Sequence, residues 1–258
     1  MNFPIRKNNA AGQFRILIFF LLLFMPVRAY AMHISEGILP LGWCVLWFAA
    51  VAPFVAYGLW RLKKVSTLDV SFKPFVGLLS AMVFIISAMP IPVPTAGTCS
   101  HPCGTGITGI LLGPGISVVV AAVALLLQAL FLAHGGLSTL GANIMSMGVV
   151  GSFAGYLTFR VLRKFRLGLL PAGFAAGLFA DWSTYLATSF ELASGIRGHD
   201  PLFPLFTKIA LAFVPTQLPL GILEGFMTAG MVALLNEKRP DILVKFGVIK
   251  EKGALEQA

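Results

Sequence analysis

Two histidines sit where their neighbours give them chemistry. His33 follows Met32 directly behind Ala29-Tyr30-Ala31, and His101 stands between two cysteines in C-S-H-P-C, Cys99 to Cys103. If proteolysis after Ala31 frees the Met32 amine, three nitrogens become available to one ion: that amine, the His33 amide nitrogen and Nδ1 of its imidazole. They close a five-membered and then a six-membered chelate ring in nearly one plane. His101, supplied across space, would be the fourth planar donor, giving a tetragonal nitrogen set that suits Ni(II) or Cu(II), and Co(II) held by geometry. Cys99 and Cys103 are either further soft ligands or a disulfide, with the i, i+4 spacing and the intervening proline making a local bridge awkward. His134, in A-H-G-G-L-S-T-L-G-A-N, and Glu36 are expected close behind the ligands. Asn143 in the same stretch is expected to hydrogen-bond a ligating imidazole.

The elements that must position these residues are membrane helices. Of the 258 residues 57% are hydrophobic and 11% charged, against roughly 25% charged in a soluble domain. Residues 1–31 read as a secretory signal peptide: Arg6, Lys7 and Arg15 come first, Ile16 to Met25 are apolar, Pro26 breaks the run, and Ala29 and Ala31 fit a signal peptidase. Ten residues make about 15 Å of helix, too short for a ~30 Å hydrocarbon core. The formal charge of +9 falls to +5 when Arg6, Lys7, Arg15 and Arg28 leave with that leader.

Beyond it, apolar segments run over 43–60, 74–89, 103–112, 115–133, 142–161, 167–191 and 202–235. The basic groups lie between them in R-L-K-K with Lys73, in R-V-L-R-K-F-R and in the carboxyl tail. Such residues in short loops face the cytoplasm, so the amino end is outside and the carboxyl end cytoplasmic. Parity then requires residues 103–133 to cross twice, turning at Gly113-Pro114-Gly115. The expected fold class is an all-α polytopic membrane protein, a seven-segment transmembrane helix bundle in the plasma (inner) membrane of a prokaryote. Residues 32–236 form the membrane unit and 237–258 a basic cytoplasmic tail. His33 and His101 then share the outer face.

Several other motifs carry no chemistry. G-T-G-I-T-G at Gly104 to Gly109 lacks the preceding strand and later acid of a dinucleotide site; its glycines read as close helix packing. No G-x-x-x-x-G-K-[ST] occurs, so ATP use falls to another chain, and no H-E-x-x-H is present. Asp181 and Glu224 lie inside apolar segments, with Glu191 near the outer surface, and such residues usually face the protein interior. A metal-dependent membrane enzyme using His33, His101 and Glu36 would need an open coordination position. A stand-alone carrier would need more charged residues along a pathway.

M-H-I-S-E-G-I-L-P, the S-H and G-T-G that follow P-I-P, L-L-L-Q-A-L-F-L-A-H-G-G-L-S-T-L-G-A-N and P-L-G-I-L-E-G together resemble the CbiM/NikM family. These are the substrate-capturing S components of cobalt and nickel energy-coupling factor (ECF) importers. The resemblance spans Met32 to about Asn236. It implies a seven-helix bundle whose external amino terminus inserts into the fold, and an ion held by the amine, the His33 amide and imidazole, and His101. It also implies partners: a membrane coupling (T) protein, ABC-type ATPase subunits and a small CbiN/NikN-like membrane subunit, with no nucleic acid. No cofactor is bound permanently, and the transported ion is Co2+ or Ni2+, with cobalt preferred.

Overall fold

The computed structural model describes residues 30–31, 33–69, 71–89, 91–93 and 98–250. All but the last two residues of the expected leader, and Met32 itself, lie outside them. The seven apolar segments fall on seven helices: α1 (Leu41–Leu68), α2 (Phe72–Ser87), α3 (Thr105–Leu112), α4 (Pro114–Phe131), α5 (Leu140–Lys164), α6 (Leu169–Ile196) and α7 (Leu202–Lys238). Helices α1, α4, α5 and α7 are long and apolar enough to cross a membrane, and α2 is a shorter apolar helix. Outward-facing Leu41, Phe131 and Phe203 are 75–76% exposed. Water would not tolerate such a surface; lipid does.

Helix α3 has the opposite character. Every residue from Thr105 to Leu112 is buried, so this short helix is enclosed by its neighbours. Glycines fix both its ends in the left-handed region, Gly104 at φ 71° and Gly113 at φ 76°, and Pro114 starts α4 at a position where no helical N–H is needed. The other glycines of G-T-G-I-T-G admit neighbouring backbones. A Cβ on Gly106 would lie 2.9 Å from Gly177 Cα, and one on Gly109 2.9 Å from Ser152 O. The buried hydroxyls of Thr108, Ser117 and Ser152, spaced 2.6 and 2.7 Å, link α3, α4 and α5. Each is thereby satisfied without water, as an interior polar group must be.

The bundle is all-α except for one small sheet. Strands β1 (Tyr30–Ala31), β2 (Ile91–Val93) and β3 (Thr98–Ser100) pair in the order β1-β3-β2. β1 runs parallel to β3 with Tyr30 opposite Thr98, and β2 antiparallel with Ile91 opposite Ser100. A proline removes a helical hydrogen bond, and Pro92 lies in the extended strand β2. Within α5, residues Ile144–Gly151 are π-helical, a local widening found at functional sites.

The carboxyl segment is partly folded onto the bundle. Helix α8 (Pro240–Lys245) buries Leu243, and Phe246 stacks on Phe75 with centroids 5.1 Å apart. Lys245 pairs with Asp69 at the α1–α2 turn. The 236/237 boundary falls inside α7, which continues to Lys238.

Candidate metal centre

Three histidines from three separate stretches meet at one end of the bundle. His33 precedes α1, His101 follows β3, and His134 follows α4. Their ring centroids are 4.7 Å apart for His33 and His101, and 5.1 Å for His134 from each of the other two. One nitrogen from each ring lies within 4.8 Å of the others. His33 and His101 are 3% and 0% exposed. Three imidazoles this close could hold a metal ion.

Hydrogen bonding determines which nitrogen each ring offers. Ser87 Oγ donates to Val83 O at 2.6 Å, so it accepts from Gln128 Nε2, also at 2.6 Å. The Gln128 amide is thereby oriented with Oε1 towards His33 Nε2, 3.1 Å away. A carbonyl oxygen only accepts, so Nε2 of His33 carries the proton and Nδ1 keeps its lone pair. Nδ1 is the atom that a chelate with the His33 backbone amide requires. His101 is set the other way: its Nδ1 donates to Pro102 O at 3.1 Å, leaving the buried Nε2 without a partner. His134 Nε2 is also buried and unpartnered.

Electrostatics keep these rings neutral. Burial pushes His33 well below the ordinary imidazole value, the nearby His101 and His134 push it further, and the Gln128 bond opposes them. Burial, then His134, lowers His101 to about 3 against the pull of the Pro102 carbonyl. Burial lowers His134 as well. Neutral imidazoles with free lone pairs are what metal binding needs.

The loop after α4 holds the His33 segment. Asn143 Oδ1 accepts the Ile34 N–H at 2.8 Å and its Nδ2 donates to Ile34 O at 3.2 Å, while Thr139 Oγ1 donates to the same carbonyl at 2.5 Å. Glu36 Oε2 accepts the Ser138 N–H at 3.0 Å, and the Ser138 hydroxyl and amide hold its carboxyl below the usual range. The glycine pair permits the contact: a Cβ on Gly136 would lie 2.6 Å from Glu36 N, and Gly135 sits at φ +80° against His33.

The placement differs from the expectation at four points. Asn143 grips the backbone after His33 rather than an imidazole, because its amide matches the N–H and C=O of one peptide residue; Gln128 fills the imidazole role. A lone glutamine in L-L-L-Q-A-L-F-L was the available signal. His134 lies in the triad itself. Glu36 is exposed and ties two loops together. Cys103 is a free, buried cysteine turned towards Asp181 and Glu224, so no bridge joins it to Cys99, whose side chain lies outside the described residues. Met32, the proposed amine donor, lies outside them too.

Comparison with known proteins agrees with this architecture. The family described as the CbiM cobalt uptake substrate-specific transmembrane region matches residues 33–242. The chain is 68% identical over 225 residues to the cobalt transport protein CbiM of Geobacter sulfurreducens, covering 87% of this chain and 65% of that relative. It thus spans just under two thirds of that protein's length. With the cobalt transport protein CbiM of Sorangium cellulosum it shares 56% identity over 219 residues, 85% of this chain and 97% of the relative. The crystal structure of a truncated transition metal transporter superposes with a TM-score of 0.71 at 29% identity, over 80% of this chain and 98% of that one. The apolar helices, the cluster of three histidines and the family match over residues 33–242 lead to one conclusion: this multi-pass membrane protein belongs to the CbiM family.

Proposed function

We propose that the chain is the substrate-capture subunit of an ATP-driven ECF importer for a divalent transition metal, cobalt in preference to nickel. Residues 1–31 are removed as a signal peptide, leaving Met32 outside, with seven spans and a cytoplasmic carboxyl end. The ion is held by the Met32 amine, the His33 amide and Nδ1, and His101 Nε2. His134 is close enough to add a fifth donor. The observation that carries the reading is the histidine triad, in which the hydrogen bonds of buried His33 and His101 leave Nδ1 of the first and Nε2 of the second as lone pairs.

A donor beyond four supports cobalt, since strictly planar four-nitrogen sets suit Ni(II) and Cu(II). The relatives named as cobalt transport proteins support the same choice. Mg2+ and Ca2+, which want oxygen ligands, are rejected by nitrogen donors. With no phosphate-binding loop in the sequence, energy comes from partner ATPases acting through a membrane coupling protein, with a small CbiN/NikN-like subunit assisting capture.

Amino-terminal sequencing of membrane-purified protein, paired with competitive Co2+ and Ni2+ titration, tests this. Met32 is the expected first residue, and either His33→Ala or a blocked cleavage site should abolish tight binding. An uncleaved chain that binds cobalt equally well would overturn it.

A further inference from the structure

Below the histidine triad, Cys103, Asp181 and Glu224 form a second cluster of potential ligands. One ligand atom of each lies within 4.8 Å of the other two, and all three residues are buried. Cys103 Sγ is 3.8 Å from Asp181 Oδ1. Glu224, from α7, accepts the N–H groups of Cys103 at 2.5 Å and Gly104 at 3.0 Å. Among the described residues, Asp181 Oδ2, in a side chain that is 0% exposed, accepts no hydrogen bond from an N–H or hydroxyl group.

Two carboxyl groups and a thiol thus share a buried site with no counter-charge among the described residues. The ion pairs among the described residues join exposed or partly exposed groups elsewhere, such as Lys238 with Glu237 and Arg239 with Asp241. Buried acids in a membrane protein are costly unless paired with a cation. The chain itself connects this cluster to the triad: His101 and Cys103 are separated by one residue, so their Cα atoms are at most about 7 Å apart.

We infer that Cys103, Asp181 and Glu224 form a second, deeper station for the same class of divalent transition-metal ion. One thiolate and two carboxylates favour borderline cations such as Co2+, and the thiolate disfavours Mg2+ and Ca2+. On binding, the S–H bond breaks and the proton leaves as the S–metal bond forms, with no change of oxidation state. Two dications so close repel, so occupancy alternates and the ion passes from imidazoles to thiolate. That the station lies on an import route rests on the function proposed above; the binding itself does not.

The test uses full-length protein purified in detergent and cobalt chloride alone. His33→Ala and, separately, His33→Gln disable the upper site. In both, added cobalt should still produce thiolate-to-cobalt charge-transfer absorption. Adding Cys103→Ser should abolish that band, Asp181→Asn should weaken cobalt binding roughly 10–100-fold, and Cys99→Ser should leave it intact. No band in either His33 variant, or a band surviving Cys103→Ser, overturns the second station. Unchanged tight binding in the His33 variants would instead refute the upper site and leave this one standing.

Discussion

The proton on His33 is placed by a relay that begins at a backbone carbonyl, Val83 O, and runs through Ser87 and Gln128. Each member has one remaining way to bond, so the imidazole has one tautomer. Gln128→Leu removes the acceptor, leaves Nε2–H buried and unpaired, and releases the ring to adopt the wrong tautomer. We expect cobalt affinity to drop roughly 10–100-fold, the usual cost of losing such a supporting bond, as read by competitive titration with an unchanged helical circular dichroism spectrum. Asn143→Ala removes both bonds to the Ile34 backbone. Burying that N–H unsatisfied costs about 1–3 kcal/mol, so the melting temperature of the metal-free protein should fall along with its affinity.

At the scale of elements, the site depends on two close approaches. The loop after α4 reaches the His33 segment only because residue 136 has no side chain. Gly136→Ala would drive a methyl into the Glu36 backbone and move His134 away from His33. Overpacking of this kind costs about 1–3 kcal/mol, and thermal unfolding with and without cobalt should show both the lower stability and a smaller cobalt-induced rise. The second approach is at the turn leading into α3, where Glu224 from α7 accepts the N–H groups of Cys103 and Gly104. Glu224→Gln keeps one acceptor for two N–H groups, and a loss of about 1–3 kcal/mol is expected. This short enclosed helix thereby couples the His101 loop to α7.

Across the whole molecule, the lowered imidazole values make stability depend on pH. The unfolded chain's histidines take protons below about pH 6.5, whereas His101 in the fold does so only near 3. The unfolded state therefore binds more protons as pH falls from 6.5, so stability falls with it. The slope is up to about 1.4 kcal/mol per pH unit for each buried histidine. Melting of the metal-free protein at pH 7.5 and 5.5 should show the loss, and His101→Asn should reduce it. Cobalt at 100 times its dissociation constant should restore about 2.7 kcal/mol at fixed pH.

Local patterns in the chain determined the helices and picked out two of the three histidines that the fold brings together. A run of apolar residues must be helical in lipid whatever lies beside it, because its backbone has no other partner. Likewise the proposed Met32-His33 chelate needs only two adjacent residues, so His33 and His101 were legible as candidates without a fold. Tertiary structure alone decided the rest. Which nitrogen of His33 is free depends on Gln128 and Ser87, 95 and 41 positions apart in successive links; Asn143 chose a backbone over an imidazole; His134 joined the triad. Cys103 turned from the histidines to acids on α6 and α7. Hydrogen bonds across a bundle are selected by packing distance, which sequence spacing does not encode.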